Sequence, residues 1–325
     1  MEQRWVEAAE RLHGIYPVVD AHCDTVLRWI QGESLVSAPS GQVDLGRLRQ
    51  GGVRLVFCAL FVERTYPPGS RLLRALQLLD RFWQEYERHP RDLLLIQSRG
   101  DLRDLGTDSR IGVLLTLEGG EALEEELAVL RQFYRLGLRG LGLTWNQRNA
   151  LAGGVAEQRA PGLSDFGAEV LRELNRLGMV VDVAHLSERA FWEVMEMSRG
   201  PVVATHANVY RLCPHPRNLR DAQLKALASS GGVIGVTFVP GFVDRDAPSL
   251  DRLVDHLEYL CSLVGVEAVG LGSDFDGAED RLPGLEDAGC LPRLTARLLA
   301  RGFREEDVAR VLGGNWLALL ERVLP

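Results

Sequence analysis

One pattern dominates the chain: short apolar runs, each followed by a longer amphipathic stretch. Eight runs read as strands: VVDAHCD (18–24), VRLVFCALFV (53–62), IGVLLTLE (111–118), LRGLGLTWN (138–146), MVVDVAHLS (179–187), PVVATHA (201–207), GVIGVTFV (232–239) and AVGLGSDFD (268–276). Most are apolar almost throughout, as strands covered on both faces are. The stretches between them carry a helical period, as in RLLRALQLLDRFWQEYER (71–88), SLDRLVDHLEYLCSLVG (249–265) and LSDFGAEVLRELNRLG (163–178). In the last of these Ser164 is placed to cap the helix and Gly178 to stop it. Strand–helix alternation builds parallel βαβ units. Eight units predict a closed (β/α)8 barrel of the TIM type, about 250 residues or more in length. An open doubly wound sheet is the alternative, but no G-x-G-x-x-G follows the first strand, so a dinucleotide site is unsupported. LLLIQS (93–98) is a ninth apolar run that fits a strand or a helix end, and residues 62–70 and 144–165 predict long loops. With no repeat, low-complexity tract or linker composition, the expectation is one domain over residues 1–325. It comprises a barrel with an N-terminal helix and a C-terminal helical segment.

In such a barrel the chemistry sits at the C-terminal ends of the strands, and the polar residues fall there. The first run ends in His22 and Asp24, the third in Glu118, the fifth in His185, the sixth in His206, and the eighth in Asp274 and Asp276. Alternation of side chains along a strand puts His22 and Asp24 on one face and Cys23 on the other, which argues against Cys23 as a nucleophile. Each of these sites taken alone reads equally as a buried, hydrogen-bonded polar group. Five at the same position of the repeat read as a metal centre. Imidazole and carboxylate ligands without thiolate suit zinc, with manganese or cobalt as alternatives. Five protein ligands are too many for one tetrahedral ion with an open position. They fit two ions if a carboxylate is shared, and Glu118 is the natural bridge. Lys225, the only lysine, lies in the helical stretch DAQLKALASS and cannot serve as a carboxylated bridge.

Composition bounds the partners. The 325 residues are 46% hydrophobic and 25% charged, with a formal net charge of −8. That balance argues against nucleic acid, whose phosphates call for clustered Lys and Arg. The five cysteines are widely spaced and include no C-x-x-C, the usage of a reducing compartment. MEQRWVEAAERLHG lacks the apolar core of a signal peptide, and no apolar run reaches the roughly 18 residues of a membrane span. The expectation is a cytoplasmic protein that engages neither membrane nor nucleic acid.

The pieces DAHCDT, TLEGG, DVAHLS, PVVATHANVYRLCPHPRNLRD, GLGSDFDGAEDRLPGLED and LLARGFREEDVARVLGGNWLALLERV occur in this order and span nearly the whole chain. The chain resembles the membrane (renal) dipeptidases, a family of binuclear zinc barrel peptidases. H-x-D alone is weak, but SDFDG followed by PGLED makes the combination specific. The resemblance implies that His22 and Asp24 hold one zinc, that His185 and His206 hold the second, and that Glu118 bridges the two. It implies that Arg217, in PRNLRD, takes the free C-terminal carboxylate of a dipeptide, and that Asp274 manages protons. It further implies a homodimer. The chain departs from the family after the fourth strand. Mammalian members carry a histidine following L-T, thought to contact the scissile carbonyl. Here the sequence is LTWNQRN, with Trp145 in that place and Asn146 next to it as a candidate replacement donor. The expectation is a bacterial-type soluble member, without the secretory signal and lipid-anchor tail of the eukaryotic members.

The implied reaction is attack on a dipeptide by a hydroxide held between two zinc ions, since metal binding lowers the pKa of water from about 16 to about 7. Asp274 relays the proton and the Arg217 fork grips the carboxylate. Asp276 reads as a supporting residue. Three other readings share these residues: a hydrolase of N-acyl amino acids, lactams or lactones; a non-catalytic metal-binding barrel; and a biosynthetic role with altered chemistry.

Overall fold

The computed structural model describes residues 2–105 and 108–325; Met1 and residues 106–107, all inside the expected 1–325 domain, lie outside the described residues. The strands are β1 (Val18–Cys23), β2 (Val53–Phe61), β3 (Leu93–Leu95), β4 (Ile111–Glu118), β5 (Leu138–Gly142), β6 (Val180–Asp182), β7 (Val202–Val203), β8 (Ile234–Val236) and β9 (Val269–Leu271). All pair in parallel, in the order β7-β6-β5-β4-β2-β1-β9-β8. The two ends of that order meet through a parallel bridge between Ala204 and Ile234, with Gly235 N–H donating to the Ala204 carbonyl at 2.8 Å. The result is a closed eight-stranded parallel barrel wrapped in helices. The ambiguous run LLLIQS supplies β3, which pairs with the first half of β4 while β5 pairs with the second half. It is an extra strand on one edge of the barrel.

The helices follow their caps. The helix Asp165–Leu177 starts where the Ser164 side chain accepts from Gly167 N–H and ends at Gly178, which is left-handed at φ +67°. Ser249 caps Leu250–Val264 in the same way. Lys225 is exposed on the helix Asp221–Ser229.

Two apolar layers hold the barrel. Leu55, Phe57, Leu114, Val180 and Val203 form a fully buried cluster with Trp316, Leu319 and Leu320 of the C-terminal helix Asn315–Val323. Burying each such side chain contributes about 1.5–3 kcal/mol relative to exposure. The indole of Trp316 donates to the Leu271 carbonyl at 3.0 Å, and a Cβ on Gly270 would meet its Nε1 at 2.3 Å, so this strand position requires glycine. The C-terminal segment runs past Gly178 and Gly231, just ahead of β6 and β8, beneath the N-terminal ends of the strands. The opposite rim is left for chemistry.

Candidate metal centre

His22, Glu118, His185 and His206 converge at the C-terminal rim from β1, β4 and the segments that follow β6 and β7. Glu118 Oε1 lies 2.8 Å from His185 Nε2 and 3.6 Å from His206 Nε2, while Oε2 lies 3.6 Å from His22 Nε2. His22 Nε2 is 3.4 Å from Asp24 Oδ2, and His185 Nε2 is 2.8 Å from His206 Nε2. Asp274 completes the group: ligand atoms of His22, Asp24 and Asp274 lie within 4.8 Å of one another. All five sequence-predicted ligands are buried.

The meeting of His22 and Asp24 does not rest on simple alternation. β1 shifts register between Asp20 and Cys23, and Asp24 lies past its end as the residue before the helix Thr25–Ile30. Cys23 faces Cys58, its partner on β2, away from the histidines.

The donors fit a cation. His185 Nδ1 meets the side-chain oxygen of Asn146 at 2.9 Å, and His206 Nδ1 meets the Thr205 hydroxyl at 2.8 Å. Each ring therefore carries its proton on Nδ1 and turns an Nε2 lone pair inward. Burial and the nearby Arg217 charge push His185 down to about 4, and burial with the His22 charge pushes His206 well down, so both rings are neutral at pH 7. Two lone pairs at 2.8 Å beside a carboxylate oxygen repel one another unless positive charge lies among them. Among the described residues, His22 Nε2 and Asp24 Oδ1 are buried without any hydrogen-bond partner. A divalent ion with nitrogen and oxygen ligands satisfies all of these atoms at once. Burial opposes charge on His22, but Glu118 and Asp24 outweigh it and raise its pKa. Burial and the Glu118 charge raise Asp24. Burial raises Asp274, and the opposing pull of His22 and Arg217 does not offset it.

The backbone is bent to make room. Asp274 and Asp276 sit at φ +65° and +66°, a left-handed conformation that Asp tolerates better than most residues. Asp274 N–H donates to the His22 carbonyl at 3.0 Å. A Cβ on Gly277 would meet Asp24 Oδ2 at 2.3 Å and Asp274 Oδ1 at 2.4 Å, so the two carboxylates close over a glycine. Asp276 points elsewhere. It accepts from Gln42 N–H at 2.6 Å, and its own N–H donates to Gln42 Oε1 at 2.9 Å, tying Gln42 to the rim.

A cavity of about 180 Å³ opens on this group. Leu27, Phe61, Trp145 and Phe242 give it apolar walls, and Asn146 and Arg217 give it polar ones. Arg217 is only 3% exposed. It donates to the Ala184 carbonyl and, at 2.9 Å, to the His206 carbonyl, while Nε has no partner. Among the described residues no carboxylate forms an ion pair with it. The indole of Trp145 packs on Phe61 at 5.2 Å between centroids and lies 6.2 Å from the His185 ring. Asn146, the candidate replacement donor to the substrate carbonyl, meets His185 Nδ1 through its side-chain oxygen, the acceptor end of the amide.

Sequence reasoning missed three buried residues beneath the ligands. Asp20 accepts from Ser273 N–H at 2.7 Å and so ties β1 to the segment after β9 that bears Asp274. Asp182 and Thr205 back the histidines. The available signal was their spacing: D-x-H in DAH, D-x-x-H in DVAH and T-H in ATH.

A closed parallel barrel whose C-terminal rim gathers three imidazoles and two carboxylates around a cation-sized focus defines a metallohydrolase of the barrel type. The profile of the membrane dipeptidase family (peptidase family M19) matches residues 6–324. An uncharacterised protein of the pqqA 5′ region of Klebsiella pneumoniae is 38% identical over 244 residues, 71% of this chain and 89% of that protein. Dipeptidase aclJ of Aspergillus oryzae is 36% identical over 293 residues, 86% of this chain and 69% of its own length. A metallopeptidase from Rhodobacter sphaeroides, solved with a phosphinate mimic of the dipeptide L-Ala-D-Ala, aligns with a TM-score of 0.88 at 29% identity, over 95% of this chain and 99% of that one. The metallopeptidase dipeptidase AC aligns with a TM-score of 0.87 at 31% identity, over 95% and 98%. The chain belongs to the membrane dipeptidase family, and it is a metallo-dipeptidase. Among the described residues no helix is long and apolar enough to cross a membrane.

Proposed function

We propose that this chain hydrolyses dipeptides bearing a free C-terminal carboxylate, with two zinc ions held by His22, Asp24, Glu118, His185 and His206. The observation that carries the substrate assignment is Arg217: a buried guanidinium, in ion-pair contact with no carboxylate among the described residues, on the wall of the cavity that holds the metal-facing groups. Burying a cation is costly unless it is paired. A substrate carboxylate is the partner that the empty cavity admits. When bound, the ions supply an activated water at neutral pH and polarise the scissile carbonyl. Arg217 orients the substrate by its carboxylate, and Asp274 holds and moves a proton. The phosphinate dipeptide mimic bound by the Rhodobacter relative is in keeping with this substrate class.

Removing the substrate's charge tests the assignment. Amidating the C-terminus of a good dipeptide should cost about 2–5 kcal/mol, the range for leaving one member of a buried charged pair alone. That is roughly 30- to 5,000-fold in kcat/KM. Arg217→Ala should cost the free dipeptide a similar factor and leave the amide little changed, so the gap between them closes. If the wild-type enzyme cleaves amides and tripeptides as fast as free dipeptides, Arg217 does not do this, and hydrolysis of N-acyl compounds becomes the better reading.

Trp145 sets the other side of the pocket. Its indole has one donor and no acceptor, and against Phe61 it forms an apolar wall. Trp145→His should widen the range of accepted dipeptides, with selectivity among residues of different bulk falling roughly tenfold or more. An unchanged profile over a dipeptide panel, including D-residues at the second position, would show that the indole only fills space.

A further inference from the structure

Three histidines face the metal focus, and each has an oxygen behind its Nδ1. For His185 that oxygen belongs to Asn146, at 2.9 Å. For the other two it belongs to one residue. Thr205 Oγ1 lies 2.8 Å from His206 Nδ1 and 3.5 Å from His22 Nδ1. The same hydroxyl donates to Asp182 Oδ2. Asp182 is itself locked, because its Oδ1 accepts from the N–H groups of Ala184 and Thr205, each at 3.0 Å. Thr205 and Asp182 are both buried, and neither touches the cavity into which a dipeptide fits.

A hydroxyl has one hydrogen and two lone pairs. With its hydrogen on Asp182, only lone pairs remain for the rings. His206 and His22 must then present N–H at Nδ1, which leaves Nε2 free to turn toward Glu118. We propose that Thr205 and Asp182 form a positioning pair that sets the tautomer of one histidine in each half of the metal centre. This rests on the assignment of His22 and His206 as ligands of two different ions. The family's ligand set alone does not require it; the shared hydroxyl does.

The chemistry of the pair orders its variants. Thr205→Ser keeps the hydroxyl. Thr205→Val keeps the shape and loses the acceptor, leaving both tautomers unset. Asp182→Asn keeps every heavy-atom position but reverses the relay. The amide oxygen stays on the two backbone N–H groups, so the NH2 faces Thr205 and donates to it. The hydroxyl hydrogen must then turn to an imidazole Nδ1, and that ring carries its proton on Nε2, inside the metal site.

The test uses full-length protein loaded with zinc and challenged with a chromophoric chelator, alongside thermal melts of the stripped proteins. Thr205→Ser should hold zinc within about threefold of wild type. Thr205→Val should hold it roughly 10- to 100-fold more weakly, the range for losing a partner behind a metal ligand. Asp182→Asn should be weaker still, although the stripped variants melt close to stripped wild type. A purely structural role predicts the reverse order, since valine removes more hydrogen bonds than asparagine. Thr205→Val with wild-type affinity, or Asp182→Asn equal to or better than Thr205→Val, overturns the proposal. If Thr205→Val fails to fold, Asp182→Asn against Thr205→Ser decides it: undiminished affinity in Asp182→Asn overturns it. Wild-type protein that takes up no zinc defeats the metal assignment and this proposal together. Wild-type protein that binds zinc with an indifferent Thr205→Val defeats this proposal alone.

Discussion

Glu118→Ala is expected to strip the protein of both metal ions and to lower dipeptide turnover by roughly 10³-fold or more. A bound cation contributes several kcal/mol of transition-state charge stabilisation, and each 1.4 kcal/mol or so is tenfold in rate. The reason lies in how the carboxylate is shared. Its Oε1 faces His185 and His206 at 2.8 and 3.6 Å, and its Oε2 faces His22 at 3.6 Å. Among the described residues it is the one carboxylate in contact with all three imidazoles, and it is buried, so solvent cannot replace its charge. Alanine leaves His22 beside Asp24 on one side and His185 beside His206 on the other, with no carboxylate in common. His185→Ala should behave differently, releasing one ion while the His22–Asp24 pair retains the other. Elemental analysis of each protein after saturation with zinc and gel filtration reads this directly. Wild-type protein that saturates at one ion per chain, or Glu118→Ala that keeps two, would rule out the shared-carboxylate arrangement.

Much of this site was legible because two periodicities coincide in the sequence. The strand–helix repeat says where the rim is, and His22, Glu118, His185, His206 and Asp274 all fall at its positions. The fold was legible for the same reason, but the extents were not: the runs 138–146, 179–187, 201–207, 232–239 and 268–276 outlast their strands, which stop at Gly142, Asp182, Val203, Val236 and Leu271. Leu93–Leu95 is too short and too apolar to be told from a helix end by pattern alone, and it becomes a strand only because the first half of β4 has a free edge. The run 138–146 was read as strand to its end, yet β5 stops at Gly142. Beyond it, Thr144, Trp145 and Asn146 leave the sheet to cross the rim, with the Thr144 hydroxyl on the His185 carbonyl at 3.3 Å and Asn146 on its ring. The residues behind the ligands were not legible, because a buried Asp or Thr inside an apolar run is defined by its partner. Asp20 has its partner at Ser273, far away in the chain, and Asp182 has its own at Thr205. Asn146 has a second role that its position beside the departure from the family did not suggest: its side-chain oxygen meets the His185 ring, while the residue also lines the cavity.

Asp274→Asn should lower turnover by about 10²- to 10⁴-fold, the range for a positioned proton-transfer group, with metal content nearly unchanged. One feature separates Asp274 from the proposed ligands around it, and a second is shared with Asp24 alone among them. Its backbone is held left-handed at φ +65°, with its N–H on the His22 carbonyl, which fixes the carboxylate beside Asp24 at the mouth of the cavity. Its pKa is raised by burial against the pull of His22 and Arg217, the direction that favours a carboxylate returning a proton as well as taking one. Such a group can accept the proton of the attacking water and deliver it to the departing amine. An amide of the same shape cannot. The raised pKa also gives the direction of the pH profile. Activity that requires ionised Asp274 is present above its pKa and is lost as pH falls through it, so the acid limb of kcat/KM should lie above the ordinary carboxylate range. In Asp274→Asn the residual rate should lose that limb. The competing possibility is concrete, since Asp274 shares a ligand-sized cluster with His22 and Asp24. Elemental analysis separates the two: an asparagine variant that has lost an ion makes Asp274 chiefly a ligand, and one that keeps both ions and near-normal turnover removes it from the reaction altogether.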